Sequence, residues 1–280
     1  MLELPDVTVC AIDCVTPELA AAALDRSMRQ CNFGETLLLS DRRVDSRAVW
    51  TRISRLDSIE AYNDFMLREL LHHVSTSHVL VIQWDGFVVD PGAWQPQFLN
   101  YDYIGARWPW HPPGLDMGNG GFSLRSRRLL QATASAGFQR SGAPEDDLIC
   151  RINRPYLEQA YGIRFAPADV ADRFAYERGD PQRPTFGFHG PFNLWRHLSD
   201  EEVTGMLNTL SPRTCLSVEF IELQVTYVQQ RKWRMFARMY QRMAQAGNRE
   251  TVMAAYARVL REPGAPQALV SLGEELAASR

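Results

Sequence analysis

Residues 78–90 read HVLVIQWDGFVVD, and this stretch decides the fold. A run of apolar and β-branched residues, typical of a strand buried inside a sheet, leads directly into Asp85 and Gly86. A second apolar run begins immediately after the glycine. Because an unpaired carboxylate is costly to bury, Asp85 is better placed at the end of the strand than within it. We therefore predict an interior strand that ends just before a functional acid.

The sequence before this strand alternates predicted strands and helices. An apolar run at residues 6–13 predicts a strand, and Thr16-Pro17-Glu18 predicts a helix start, with a capping residue, a proline and an acid in favourable positions. A second strand is predicted at 36–39 and a second helix from about Ser58 to His73, where apolar residues recur with a period close to 3.6. This order predicts an α/β fold, with a mostly parallel central sheet flanked by helices.

Three of the predicted strands end in acids, Asp13, Asp41 and Asp85. Parallel sheets bind ligands beyond the carboxyl ends of their strands, so we expect these acids to share one edge of the sheet. For Asp13 and Asp41 the alternative is that they cap turns, as aspartate often does. That alternative is weaker for Asp85.

Composition excludes several classes of protein. The formal net charge of -3 argues against a general nucleic-acid binder. No apolar stretch approaches the roughly 20 residues of a spanning helix, and the N-terminus lacks the basic region of a signal peptide. The five cysteines are odd in number and lack metal-ligand spacing, so we expect buried thiols. These features predict a cytoplasmic protein without a transmembrane segment or a nucleic-acid partner.

From about Ser199 the pattern becomes all-helical. Ser199-Asp200-Glu201-Glu202 predicts a capping box, and a long helix is predicted from about Ser217 to Ala246. We therefore predict two domains, residues 1–198 and a helical annex at 199–280.

Four arginines of the annex share one predicted helix face: Arg231, Arg234, Arg238 and Arg242. They could meet an anionic surface or partner, or form a solvated face opposite the apolar stripe. The annex is also a candidate for contacts within a homo-oligomer.

The Asp85-Gly86 pair suits a divalent cation held against a diphosphate. Mg²⁺ and Mn²⁺ prefer hard oxygen ligands and keep positions open for phosphate oxygens, and a glycine lets a ligand approach closely. A second protein ligand is needed, and His189 is the best candidate because it lies in the glycine-flanked, aromatic stretch FGFHGP at 186–191.

Two further motifs contain candidate functional residues. Residues 117–126, MGNGGFSLRS, carry glycines just before a new predicted strand, an order that differs from the dinucleotide-binding fingerprint. Residues 144–151, PEDDLICR, place three acids at a predicted helix start. Acids are favourable near that end of a helix. Three adjacent acids also repel one another, so one of them could have a raised pKa and act as a base.

These motifs, in this order, resemble the GT-A class of nucleotide-sugar glycosyltransferases, and in particular a bacterial glycosyltransferase-like family of uncharacterised domains. The matching stretches are IEAYNDFML, HVLVIQWDGFVVDP, FLNYDYIGARW, GNGGFSLRSRRLL, PEDDLICR and FGFHGPFNLW, within about residues 5–195. A more distant likeness is to the β-1,4-galactosyltransferases. The resemblance implies a GT-A-like (Rossmann-like) fold. It also implies transfer of a sugar from a nucleotide-diphosphate donor, a UDP-sugar first, to a glycan, lipid-linked or protein acceptor.

The resemblance also implies a role for each matching residue. Asp85 matches the last acid of an Asp-x-Asp metal motif, with Gln83 in place of the first acid, and His189 matches the histidine that completes a site for Mn²⁺ or Mg²⁺. Asp146 matches the general base of an inverting transfer, and Glu145 matches an acceptor contact. The other donor-side positions are Asp13, Tyr62, Asn63 and Trp84, and the other acceptor- or sugar-side positions are Asn119, Gly120, Gly121 and Asp147.

Gln83 keeps a second hypothesis open, a catalytically inactive nucleotide-sugar or glycan-binding module whose helices bind a partner. The acids at Asp85 and Asp146 favour an enzyme, since a binding module has little use for a base. A pyrophosphorylase or hydrolase is disfavoured because residues 13–17, DCVTP, lack a glycine-rich, basic phosphate loop. The loop WPWHPP at 108–113 is predicted to be a mobile lid, an acceptor platform or a rigid surface loop.

Overall fold

The computed structural model describes residues 1–278. Its strands are β1 (Leu2–Ile12), β2 (Cys31–Ser40), β3 (Val49–Arg52), β4 (His78–Ile82), β5 (Tyr103–Ile104), β6 (Phe122–Ser126), β7 (Ala175–Tyr176) and β8 (Gly187–Phe188). Its helices are α1 (Pro17–Gln30), α2 (Ile59–Asp64), α3 (Arg127–Thr133), α4 (Glu145–Asp147), α5 (Arg154–Tyr161), α6 (Ala168–Phe174), α7 (Asp200–Leu207), α8 (Pro212–Cys215), α9 (Val218–Gln229), α10 (Trp233–Ala246), α11 (Arg249–Val259) and α12 (Ala265–Ala278). The chain forms two compact units, one ending at His189 and the other beginning at Gly190.

The first unit is built on a six-stranded sheet in the order β3-β2-β1-β4-β6-β5. The strands β3, β2, β1 and β4 are parallel to one another, whereas β6 is antiparallel to both β4 and β5. This architecture confirms the predicted α/β class with a mostly parallel central sheet. The sequence pattern missed β3, since this four-residue edge strand is largely exposed and lacks a buried apolar run.

The core fixes β4 from one face of the sheet. Val79 and Val81 pack in a buried apolar cluster with residues of the neighbouring strands and of the helical segment after α2. Those partners include Cys10, Ile12, Leu39, Phe65, Met66 and Leu70. Burying a side chain of this size contributes roughly 1.5–3 kcal/mol. Because all of β4 is buried, the residues that follow its carboxyl end are held in a defined position.

The start of α1 differs from the prediction. Thr16 was expected to cap this helix, but its side chain makes no capping hydrogen bond to the backbone. The carboxylate of Asp13 instead accepts hydrogen bonds from the backbone N–H groups of Val15 and Thr16, both at 2.7 Å. An aspartate placed before a turn can accept hydrogen bonds from the backbone just after it, which makes it the stronger local competitor.

The predicted helix from Ser58 to His73 is present but irregular. Ser58 caps α2, which continues as a π-helical turn at Phe65–Glu69 and a short 3₁₀ turn. A second π-helical turn, Leu148–Ile152, follows α4. Turns of this kind are frequent at functional sites. Both follow helices that carry predicted site residues.

The second unit is helical from α7 to α12. The predicted capping box is confirmed, because Ser199 Oγ accepts from the Glu202 N–H and the Glu202 carboxylate accepts from the Ser199 N–H. The single helix predicted from Ser217 to Ala246 is wrong. It is divided into α9 and α10 by a turn in which Arg231 has a φ of 57°, a left-handed conformation that is rare for a non-glycine residue. No glycine or proline marks that break in the sequence.

Two arginines of α10 contact α7 and the turn that follows it. Arg238 donates to Thr204 Oγ1, and Arg242 donates to the backbone oxygens of Leu207 and Leu210. These contacts lie within the helical unit, and a role of its arginines in binding a partner stays a prediction.

All five cysteines are free and buried, as predicted. Within residues 1–278, no helix has both the length and the apolar character needed to cross a bilayer.

Candidate functional site

The carboxyl end of β4 carries a buried acid with an unpaired oxygen. Asp85 is only 6% exposed, and its Oδ1 has no hydrogen-bond partner among the described residues. The next residue is Gly86, and a larger side chain would not fit there because a Cβ would lie 2.7 Å from the backbone oxygen of Phe188. The glycine therefore lets the segment leading to His189 pass close to Asp85.

His189, the residue expected to be the second metal ligand, lies against this acid. Its Nε2 is 3.4 Å from Asp85 Oδ1 and 3.2 Å from Gln83 Oε1, while its Nδ1 is 3.0 Å from Glu177 Oε1. The contact with Asp85 is an ion-pair distance without hydrogen-bond alignment, which leaves Oδ1 unpaired. We call these four residues, Gln83, Asp85, Glu177 and His189, the cation corner.

The charges of the cation corner change the protonation of its members. Burial alone would lower the pKa of His189, but Asp85 and Glu177 outweigh that effect and raise it to about 10. Burial alone would raise the pKa of Glu177, but His189 and the indole of Trp108 lower it overall. The corner thus holds an imidazolium between two carboxylates.

Other predicted donor-side residues surround this corner. The hydroxyl of Tyr62 accepts a hydrogen bond from Gln83 Nε2 at 3.2 Å, which turns the amide oxygen of Gln83 toward His189. Burial raises the pKa of Tyr62, so it remains a neutral phenol. The pKa of Asp13 is also raised, chiefly by burial and in part by the charge of Asp85, so the two acids sense each other at one edge of the sheet.

The remaining two donor-side residues are less directly engaged. Asn63 donates to the backbone oxygen of Ala143 at 3.0 Å and so supports the segment before α4. Trp84 is half-buried beside Asp85 in the chain.

The cation corner contains atoms of the kind that a hard divalent cation prefers. Asp85 Oδ1 and Gln83 Oε1 are oxygen atoms that lie near the same imidazole nitrogen, Nε2 of His189, and Mn²⁺ or Mg²⁺ would accept such atoms as ligands. Within residues 1–278, no three histidine, cysteine or acidic side chains converge as a metal site. In the corner, the ring of His189 lies between Asp85 and Glu177. A cation held by Asp85, His189 and the amide oxygen of Gln83 would keep coordination positions open for phosphate oxygens.

The three consecutive acids of α4, which we call the acid triplet, have different partners. Glu145 forms a buried ion pair with Arg125, at 2.8 Å and 3.1 Å. Asp147 pairs with Arg151 at 2.7 Å, one helical turn later. Asp146 instead accepts two backbone N–H groups, from Gly120 at 3.1 Å and from Asp147 at 2.9 Å.

Asp146 has the pKa of a group that can exchange protons at neutral pH. Burial, followed by the negative charge of Glu145, raises its pKa to about 7. Arg125 is fully buried, and its pKa is raised by Glu145 against the opposing effect of burial, so the guanidinium stays charged. The ion pair thus fixes a negative charge beside Asp146.

The glycine motif separates the cation corner from the acid triplet. A Cβ at Gly120 would lie 2.5 Å from Glu145 Oε1, and one at Gly121 would lie 2.0 Å from His189 Nε2. Asn119 joins the same point, with its Nδ2 2.9 Å from His189 Nδ1. Three of the predicted acceptor- and sugar-side residues, Asn119, Gly120 and Gly121, therefore lie between the two centres, whereas Asp147 belongs to the triplet.

Sequence reasoning missed two residues of this site. Glu177 belongs to no recognisable motif in AYERGD at 175–180, and its part in the site becomes visible only from its contact with His189. Arg125 had a usable signal, a charged residue inside the predicted strand FSLRS, but its partner Glu145 is twenty residues away. Trp108 of the aromatic loop also contacts the site, since its indole N–H donates to Glu177 and Arg151 stacks over its ring at 4.7 Å.

Comparisons with known proteins give one family and a distant structural similarity. The family model described as "Protein of unknown function (DUF5672)" matches residues 47–189, a range that contains every predicted site residue except Asp13 and ends at His189. No curated protein matches the chain. Among solved structures, the mannosyltransferase PcManGT from Pyrobaculum calidifontis, in complex with GDP-Man and Mn2+, is similar at 13% identity and a TM-score of 0.39. The similarity covers 99% of this chain and 87% of that chain.

Proposed function

We propose that this chain, which belongs to the DUF5672 family of proteins of unknown function, is a glycosyltransferase that moves a sugar from a nucleotide-diphosphate donor to an acceptor hydroxyl. The observation that carries the proposal is the buried Oδ1 of Asp85, which accepts no hydrogen bond and lies 3.4 Å from Nε2 of His189, at the carboxyl end of β4. This edge is where sheets of this type bind ligands. A buried carboxylate oxygen that accepts no hydrogen bond is costly, and a bound cation would offset that cost.

Asp85 and His189 would hold a divalent cation, with the oriented amide oxygen of Gln83 beside it. When bound, such a cation neutralises the charge that develops on a leaving nucleoside diphosphate. Tyr62 keeps Gln83 in the orientation that this needs. Asp13 and Trp84 stay assigned to the donor side.

Asp146 would be the general base. Its carboxylate takes the proton of the acceptor hydroxyl as that oxygen attacks the anomeric carbon and the bond to the donor phosphate breaks. Such a base commonly contributes a factor of ~10²–10⁴. A single direct displacement of this kind inverts the anomeric carbon.

Glu145 supports the base rather than replacing it. Both of its carboxylate oxygens lie on Arg125, and its charge helps to raise the pKa of Asp146. Contact between Glu145 and the acceptor stays a prediction, as does the division into a catalytic domain at 1–198 and an annex at 199–280.

Thermal-shift measurements test the donor and the cation together. UDP-, GDP-, CMP- and dTDP-sugars are added with and without Mn²⁺, because a ligand that binds only the native state stabilises it. We expect one donor to raise the melting temperature only when Mn²⁺ is present, and Asp85→Asn to remove that effect. The absence of any response contradicts the proposal.

Turnover of the stabilising donor then separates an enzyme from a binding module. The wild-type protein should release nucleoside diphosphate when the acceptor is present, whereas Asp146→Asn should bind the donor without doing so. Donor binding without turnover in the wild type would support the inactive binding module, which the glutamine at Gln83 keeps as the second candidate.

A further inference from the structure

Glu177 joins two parts of the site through its two carboxylate oxygens. It follows β7, and its side chain is only 9% exposed. Oε1 lies 3.0 Å from Nδ1 of His189, and Oε2 accepts a hydrogen bond from the indole N–H of Trp108. Each oxygen thus faces a different nitrogen, and a neutral glutamine could not accept from both, because one of its two terminal atoms is itself a donor.

The protonation of His189 decides whether this residue can bind a cation. Nε2 can coordinate a metal ion only when it carries no proton, and the ring proton must then lie on Nδ1. Any neighbour that favours a proton on Nδ1 therefore favours metal binding at Nε2.

Two neighbours of Nδ1 favour opposite tautomers. Asn119 Oδ1 accepts from the Phe122 N–H at 3.1 Å, so its Nδ2, a donor, is the atom that faces Nδ1 at 2.9 Å. That contact favours a bare Nδ1 and a proton on Nε2. Glu177 is a negatively charged acceptor and favours the proton on Nδ1.

We propose that Glu177 is a positioning residue that orients the ring of His189 and holds a proton on Nδ1, so that Nε2 is the nitrogen that can exchange its proton for the cation beside Asp85. This inference rests on the proposed cation site. Its own content is the hydrogen bond from Nδ1 to Glu177 and the ring orientation that this bond sets, which exist with or without a metal ion.

The same carboxylate couples the aromatic loop to the cation corner. Trp108 is held between Glu177 and Arg151, and Arg151 pairs with Asp147 of the acid triplet. A cleft of about 300 Å³, bordered by Pro109 and by Glu177 itself, opens beside the loop. Glu177 therefore contacts both Trp108 of the aromatic loop and His189.

Nitrogen-15 NMR of the metal-free full chain, labelled at histidine, tests the hydrogen bond directly. His189→Ala assigns the resonance, and the Nδ1 proton of His189 should lie far downfield because it is donated to a carboxylate. Glu177→Gln should move that proton upfield or abolish it. Asp172→Asn removes an equal charge from the border of the same cleft and should leave it unchanged. An unchanged Nδ1 proton in Glu177→Gln overturns the proposal.

Mn²⁺ titration followed by electron paramagnetic resonance tests the consequence. Loss of a partner that orients a ligating histidine typically costs 10–100-fold in metal affinity, so we expect about that loss in Glu177→Gln and none in Asp172→Asn. Glu177→Asp, which keeps a charged acceptor, should regain part of the affinity and serves as the second variant if Glu177→Gln folds poorly. Equal affinity in the wild type and Glu177→Gln would refute the role of Glu177. A wild type that binds no Mn²⁺ instead refutes the proposed cation site, and the NMR result still decides whether Nδ1 donates to Glu177.

Discussion

The acid triplet and the cation corner stabilise buried carboxylates in different ways. In the triplet, two acids are paired with arginines, Glu145 with Arg125 and Asp147 with Arg151. A guanidinium does not give up its proton in a protein, so the positive charge of each of these pairs is permanent. In the corner, Asp85 and Glu177 share one imidazole, a group that can exchange a proton for a metal ion.

The difference shows how one chain can place two kinds of acid side by side. Asp146 lies between these two paired neighbours, and burial, followed by the charge of Glu145, raises its pKa to about 7, so it has a proton to exchange. In the corner, Asp85 Oδ1 lies near an imidazole that can exchange its proton for a metal ion, and it accepts no hydrogen bond. The triplet is suited to proton transfer, and the corner to an exchangeable cation.

The largest effect on the rate of transfer is expected from substitution of Asp146, the proposed base of the acid triplet. Asp146→Asn keeps the size of the side chain but cannot accept the proton, so transfer should fall ~10²–10⁴-fold. The rate is measured as nucleoside diphosphate released with the donor found by thermal shift. Asp147→Asn, which changes the neighbouring acid paired with Arg151, is the control and should retain far more activity. Full activity in Asp146→Asn would contradict the assignment of the base.

The next largest effect is expected on stability, when the buried Arg125–Glu145 pair is broken. Arg125→Met leaves Glu145 buried without its partner, which should lower the free energy of unfolding by about 3–5 kcal/mol in urea titrations. The double variant Arg125→Met/Glu145→Leu should recover much of that loss, since well-packed apolar residues can replace a buried pair. A single variant as stable as the wild type would mean that the pair contributes little.

The pH dependence of transfer probes the raised pKa of Asp146. The base acts as a carboxylate, so kcat/KM should rise about tenfold per pH unit below pH 7 and level off above it. Glu145→Gln removes the nearby negative charge and should move this limb to lower pH. A profile that is flat between pH 5 and about 8 would be inconsistent with Asp146 as the base.

The raised pKa of Asp146 makes stability depend on pH in the opposite direction from activity. The folded chain keeps the proton of Asp146 up to about pH 7, whereas the unfolded chain releases it near the ordinary value of 3.8. Stability should therefore fall as the pH rises from about 4 to about 7, and Asp146→Asn should remove this contribution. Urea titrations of both proteins across that range measure the difference.

The smallest effect is expected at the more exposed pair. The side chain of Asp147 is 32% exposed, so its ion pair with Arg151 should contribute less than about 1 kcal/mol. Arg151→Lys keeps the charge but weakens the stacking on Trp108, and its unfolding free energy should stay close to that of the wild type. A loss as large as that in Arg125→Met would remove the distinction between the two pairs.

Local patterns predicted the parts of the molecule that depend on neighbouring residues. The apolar run of β4 and the glycine after Asp85 are visible in the sequence because strand burial and close backbone approach each require a particular residue type. The break after Gln229 was missed, since Arg231 adopts a left-handed conformation that its residue type does not favour.

The contacts of the candidate site depend on distant parts of the chain. The structure places His189 beside Asp85, the two residues expected to share a cation, while the binding role of both residues stays a proposal. The position of Glu177 and the partners of each acid in the triplet could not be predicted, because they depend on which residues β6, β7 and β8 bring together. Charge alone did not distinguish Asp146 from its two neighbours.

Anomalous X-ray scattering from manganese tests the central claim most directly. Crystals grown with Mn²⁺ and the nucleotide diphosphate of the stabilising donor should show one strong peak at the carboxyl end of β4. That peak should lie about 2.0–2.3 Å from both Asp85 Oδ1 and His189 Nε2. A nucleotide-bound crystal with no peak there, or with manganese held by other residues, would contradict the account.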